Sequence, residues 1–185
     1  NYTSHWRGRH PSLYLTLYWF FFNRKGAMDG PSQDLLKLWD CYNVAGHRVV
    51  AIGGSDAHAS LYRLGLFKIR IFTYLYLFKT INTYIVLKEQ LSDRFEIAKK
   101  QILDALREGS CYLAFDSLAS GKSFTCLLRD QEKDICMGDS VTYNAKQTIQ
   151  VRLPNRRALF RIIRNGKLVA TKLSSEFDFP ISEPG

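Results

Sequence analysis

The stretch Val49-Val50-Ala51-Ile52-Gly53-Gly54-Ser55-Asp56-Ala57-His58 decides the fold reading of this chain. Its apolar start predicts a buried strand, because a strand covered on both faces reads as a continuous apolar run. Two glycines end the run, and a carboxylate and an imidazole follow, two positions apart. An oxygen and a nitrogen donor at the end of a buried strand suit a divalent ion such as zinc or manganese. In α/β barrels that end of the strand carries the catalytic groups. Asp56 and His58 are therefore the candidate metal ligands and the candidate catalytic residues. Ser55 stands beside them as a hydrogen-bond donor to a ligand carboxylate and as a candidate substrate contact. The plainer alternative has Asp56 capping the following turn and His58 facing solvent.

Upstream, Pro31-Ser32 opens a helix with Ser32 as its N-cap. Leu35, Leu36, Trp39 and Tyr42 fall at helical spacing, and Gly46 supplies the stop. Helix, short loop, buried strand and polar loop together make one turn of an α/β barrel or open α/β sheet. Downstream, residues 59–72 alternate in part around Lys68 and Arg70 and read as an edge strand or an irregular loop. Residues 83–87 read as a strand. Asp93 and Glu96 form a capping-box pair for a helix whose buried stripe is Ile97, Ile102, Ala105 and Leu106. Gly109 stops that helix, and residues 111–115 make a short strand. From about residue 121 the pattern changes to short antiparallel strands at residues 124–129, 148–153, 159–164 and 168–173. Asn165-Gly166 predicts a type I′ hairpin turn. The acidic loop at residues 130–134 reads as a solvated tip. The expected organisation is a barrel portion over residues 1–120 and a small β-sandwich-like domain, cut short, over residues 121–185.

The chain has 185 residues, 46% of them hydrophobic and 14% aromatic, enough to build a core and to exclude disorder. A net charge of +9 favours anionic partners, a phosphate ester first and nucleic acid second. Cys41, Cys111, Cys126 and Cys136 show no C-x-x-C spacing and read as reduced thiols, which favours the cytoplasm. The apolar run at residues 13–22 is too short for a membrane helix, which needs about 20 residues, and no cleavage site follows it. It reads as core, so no membrane partner is expected. The chain starts at Asn1 and stops at the turn dipeptide Pro184-Gly185, so both ends read as cut from a longer protein.

Gly53-Gly54-Ser55-Asp56-Ala57-His58 resembles the last metal-binding motif of the PHP (polymerase and histidinol phosphatase) metallohydrolases. Further echoes follow in order. Phe78-Lys79-Thr80-Ile81-Asn82-Thr83-Tyr84 resembles a segment of bacterial members with an appended β domain. Ala105-Leu106-Arg107-Glu108-Gly109, Tyr112-Leu113-Ala114 and Met137-Gly138-Asp139 are similar as well. Asn1-Tyr2-Thr3-Ser4-His5-Trp6 resembles a chain leaving an upstream barrel strand. The resemblance implies an α/β fold: the C-terminal portion of a distorted (β/α)7 barrel, similar to a TIM barrel, followed by a small antiparallel β domain. It implies two or three zinc, manganese or iron ions in the full-length parent, with Asp56 and His58 as ligands. The family's His-x-His motif has no counterpart among His5, His10 and His47.

If Asn1 ends a barrel strand, Asn1, Arg7 and Arg9 lie on the catalytic face and would contact a phosphate. The leading expectation is then a metal-dependent phosphoesterase, in which metal-bound water attacks phosphorus. A hydrolase of the same fold acting on a carboxylic ester, carbamate or amide is the first alternative. A chain with an incomplete catalytic set and a binding or structural role is the second. Substrate, metal identity and oligomeric state are left open.

Overall fold

The computed structural model describes residues 22, 31–59, 61–64, 66–70, 73–131, 133–153 and 156–185. Among these residues, helices and open sheets alternate along a chain that divides into two compact units. One unit takes its described residues from Asn1–Cys41, Gly53–Asn82 and Ala114–Ser120. The other comprises Tyr42–Ile52, Thr83–Leu113 and Gly121–Gly185.

The helix after Ser32 begins where its capping residue predicts. Ser32 Oγ accepts the Leu35 amide at 3.2 Å, and helix α1 (Gln33–Val44) follows. A cap of this kind satisfies one of the amides that a helix start leaves without a partner. Strands β1 (Leu61–Leu64) and β2 (Phe67–Arg70) form an antiparallel hairpin with Leu61 opposite Arg70. The one-turn helix α2 (Tyr74–Leu77) is capped by Thr73, whose hydroxyl accepts the Tyr76 amide. Leu77 and Thr80 are buried behind it, and the Thr80 hydroxyl is satisfied by the Tyr76 carbonyl at 3.1 Å. Asn82 closes this unit by donating to the Asp116 carboxylate at 2.8 Å.

In the second unit, β3 (Asn82–Ile85) pairs with β4 (Cys111–Ala114), and α3 (Phe95–Glu108) connects them. Gly109 ends α3 in the left-handed conformation at φ 77°, the place glycine occupies at least steric cost. The start of α3 departs from expectation. Its N-cap is Arg94, which makes no side-chain cap, so the Asp93–Glu96 box does not form. Gln101 ties the approach instead, accepting the Ser92 amide at 2.9 Å and donating to the Gln90 carbonyl at 3.2 Å.

The remaining strands are β5 (Thr125–Asp130), β6 (Lys133–Cys136), β7 (Thr148–Arg152), β8 (Ala158–Arg164), β9 (Lys167–Ser174) and β10 (Glu176–Pro180). Four of them make an antiparallel sheet in the order β10-β7-β5-β6. Cys126, Val151 and Phe177 lie side by side across three of its strands, and Val151 and Phe177 are buried. The opposite face is charged: Arg152 pairs with Asp178 at 2.5 Å and with Glu176 at 3.6 Å. Strands β8 and β9 form a separate hairpin whose Phe160 packs on Phe177, ring centroids 6.2 Å apart. Asn165 (φ 50°) and Gly166 (φ 74°) turn it, both in the left-handed region as a type I′ turn demands.

Two sequence-derived expectations are corrected here. The run Val49-Val50-Ala51-Ile52 is not a barrel strand. It joins no sheet, and Val49 and Ile52 are 41% and 68% exposed. Its polar groups go elsewhere: the Val49 amide to Asn43 Oδ1 at 3.2 Å, and the Ala51 carbonyl to the Cys111 thiol. An apolar run supplies strand propensity but not partner strands, and among the described residues none pairs with it. The (β/α)7 barrel and the PHP resemblance that implied it fall with this strand. A closed barrel needs parallel strands bonded on both sides. The described sheets are separate, open, and antiparallel in β1–β2, β8–β9 and the four-stranded sheet. What stands is an α/β chain in the general sense only. Residues 130–134 form the tip of the β5–β6 hairpin, with Gln131, Lys133 and Asp134 exposed as expected of a solvated tip.

Candidate functional site

Asp56 and His58 do come together, but with each other. His58 Nδ1 lies 2.8 Å from the Asp56 carbonyl oxygen and 3.3 Å from its carboxylate. Asp56 adopts φ 46°, a turn conformation that short polar residues tolerate. Both side chains are about three-quarters exposed, at 77% and 74%. Ser55 beside them is half-buried. Gly54 does not mark a close approach, because a Cβ there would meet nothing within 4 Å. Among the described residues no three His, Cys, Asp or Glu side chains are grouped to hold a metal ion. Asn1, Arg7 and Arg9, with His5 and His10, lie outside the described residues.

A phosphoesterase of the expected kind needs a barrel mouth where several strand ends converge on its ions. Neither the barrel nor a converging ligand set is present among the described residues. The phosphoesterase reading, and the ester, carbamate or amide hydrolase placed on the same barrel, are overturned together.

The cysteines are all free. Desolvation pushes the Cys111 and Cys126 thiols up, away from the thiolate form that nucleophilic chemistry requires. An open groove of about 200 Å³ lies along α3, between Val86–Glu89 and Gln101, Asp104, Glu108 and Ser110. Its Asp104, Lys88 and Glu108 are engaged internally. Asp104 is held below its ordinary value by hydrogen bonding from Lys100 and, less, by Arg107. Lys88 is held above its own by Asp139, 2.8 Å away.

Among the described residues, the β8–β9 hairpin gathers exposed aliphatic residues and cations on one element. Antiparallel partners share a face, so its register sorts the side chains. One face carries Phe160 opposite Lys172, and both engage the Phe177 ring, Lys172 Nζ at 5.5 Å from its centroid. The other face carries Leu159 opposite Leu173, Arg161 opposite Thr171, and Ile163 opposite Leu168. Its four aliphatic residues are 52–60% exposed. Arg161 sits among them, exposed and with no carboxylate partner among the described residues. Exposed Arg156 and Arg157 precede the hairpin, and Lys167 stands at its tip. Arg164 is engaged by Glu183 at 3.0 Å.

Sequence reading missed this surface because its cations are scattered along the chain. The signal was there in another form. Arg156, Arg157, Arg161, Arg164, Lys167 and Lys172 all fall between residues 156 and 174, where no Asp or Glu occurs.

No family model matches the sequence, and neither a curated protein nor a solved structure matches it. The first of these findings also removes support from the PHP resemblance. Among the described residues no helix is long and apolar enough to cross a membrane.

Proposed function

We propose that this chain acts by binding, with the cationic, aliphatic hairpin β8–β9 as the surface that meets an anionic partner. The observation that carries this reading is the outer face of the hairpin. It leaves Leu159, Leu173, Ile163 and Leu168 exposed around Arg161, which has no carboxylate partner among the described residues, on a segment with six cations and no carboxylate of its own. Aliphatic side chains gathered on one face and rimmed by charge mark interaction surfaces more often than bare solvent contacts. The rest of the β module over residues 121–185 serves as the platform, with Phe160 seated on Phe177 to hold the hairpin in place. A cytoplasmic setting belongs to the same proposal and is supported by the four free cysteines.

The test is affinity for two polyanions, polyglutamate and a mixed-sequence DNA duplex, as a function of salt. Binding to at least one of them is expected. It should weaken steeply as salt rises, and weaken again when Arg156, Arg157 and Arg161 are all replaced by serine. Equal binding by the parent and the triple variant at low salt would contradict the proposal.

A further inference from the structure

We infer that the partner is an acidic, aliphatic peptide segment that adds as a strand to the open edge of β8; this inference rests on the binding role proposed above. Three features of the hairpin converge on that occupant.

The first is the edge itself. Among the described residues β8 pairs with β9 alone, so its other side presents main-chain amides and carbonyls with no strand against them. An exposed edge of this kind is a template for one more strand. The second is the spacing on the exposed face. Leu159, Arg161 and Ile163 alternate along β8 with their side chains on one side. A strand laid beside them places its own residues i, i+2 and i+4 on that same face. The complementary pattern is aliphatic, carboxylate, aliphatic: an apolar residue beside Leu159, an Asp or Glu beside Arg161, and an apolar residue beside Ile163. The pattern is symmetric, so it fits either strand direction. The third is charge: the segment from Arg156 to Ser174 has six cations and no acid, and although Glu183 engages Arg164 and the Phe177 ring engages Lys172, Arg156, Arg157, Arg161 and Lys167 have no carboxylate partner among the described residues.

The other anionic partners fit less well. A single nucleic acid strand is gripped by aromatic stacking, and the outer face offers only aliphatic residues, a threonine and an arginine; a duplex would take the cations but has no main chain to pair with the open edge. An anionic membrane would take the aliphatic residues, but it cannot pair the open main-chain edge, and an unpaired edge is costly in hydrocarbon. A second copy of this chain carries the same +9 charge and would be repelled.

The experiment titrates the whole chain with a short peptide that has valine, glutamate and valine at alternate positions and threonine between them. The comparison peptide has the same composition with its valines adjacent. Phosphatidylserine vesicles and a DNA duplex are titrated at the same ionic strength. The ordered peptide is expected to bind about tenfold more tightly than the comparison peptide. It should also slow amide hydrogen exchange in β8. Arg161→Glu is expected to weaken the ordered peptide about tenfold, and a lysine in place of the peptide's glutamate to restore the loss. Arg161 is exposed, so this variant leaves the packing of the hairpin on Phe177 in place. Equal affinity for the two peptides, or an unchanged affinity in Arg161→Glu, would overturn strand addition. Binding of vesicles or DNA without binding of the ordered peptide would overturn it too, while leaving the anionic-partner reading intact. Failure of every anion to bind would overturn both.

Discussion

Replacing Gly138 with alanine should destabilise the second unit more than any other single methyl addition at a glycine there. Gly138 follows strand β6 with φ at +90°. An added Cβ would sit 2.5 Å from the Glu108 carbonyl oxygen and 2.7 Å from both Gly109 C and Ser110 N. All three are backbone atoms at the end of α3, so no flexible side chain can move aside. The contact is tied in place by Ser110 Oγ, which donates to the Met137 carbonyl at 3.1 Å, and by the Arg48 guanidinium, which donates to the carbonyls of both Glu108 and Gly138. A left-handed conformation costs a residue with a Cβ roughly 1–2 kcal/mol. Forcing a methyl into packed surroundings adds about 1–3 kcal/mol. The sum, about 2–5 kcal/mol, is a large share of the ~5–15 kcal/mol that holds a domain folded. With a urea slope of roughly 2 kcal/mol per M, the unfolding midpoint should fall by about 1–2.5 M. Gly54→Ala is the control, because its Cβ meets nothing within 4 Å, and it should stay within about 0.5 kcal/mol of the parent. A Gly138→Ala midpoint indistinguishable from the parent would refute the close approach between the β6 turn and the end of α3.

Three further outcomes are expected. Asp130 accepts hydrogen bonds from Asn144 at 2.9 Å and Gln147 at 3.0 Å, which hold its carboxyl below its ordinary value of 3.8. Between those two values the unfolded chain binds a proton that the folded chain does not, so this stabilisation is present above pH 3.8 and lost as pH falls through the depressed value. The thermal midpoints of the parent and Asp130→Ala should therefore differ by a constant amount near neutrality and converge at acid pH; a gap that persists unchanged below the depressed value would count against it. In the native protein at mild alkaline pH, exposed Cys41 should react with a thiol reagent well before Cys111 and Cys126, whose thiols burial pushes up, and all four should react together in denaturant. Ser32→Ala removes the α1 cap and should cost about 1 kcal/mol, read from the same urea titration, whereas Ser32→Asp should keep most of it.

What the sequence made legible was local chemistry. Ser32 caps α1, Gly109 ends α3 and Asn165-Gly166 turns the β8–β9 hairpin, because each depends on the residue's own conformational preferences. The misreadings are all non-local. Val49-Val50-Ala51-Ile52 has the composition of a buried strand, yet only a neighbouring strand makes it one, and that neighbour is not written in the run itself. Strand β6 (Lys133–Cys136) starts inside the segment 130–134, whose polar composition masked its pairing with β5. The capping box lost to Gln101, a residue two helical turns along that reaches back to residues 90 and 92. The hairpin surface was hidden for the same reason. Its cations stand one to five positions apart in sequence, and the turn at Asn165-Gly166 brings those of the two strands into one element.

The most direct test of the binding role is a map of where an anionic ligand lands on the chain. Backbone amide resonances would be followed by NMR during titration with polyglutamate. Shifts concentrated between Ala158 and Ser174, and largest around Leu159, Arg161 and Ile163, are predicted. Shifts confined to other segments, with β8 and β9 unperturbed at saturation, would contradict the assignment of the hairpin as the binding surface.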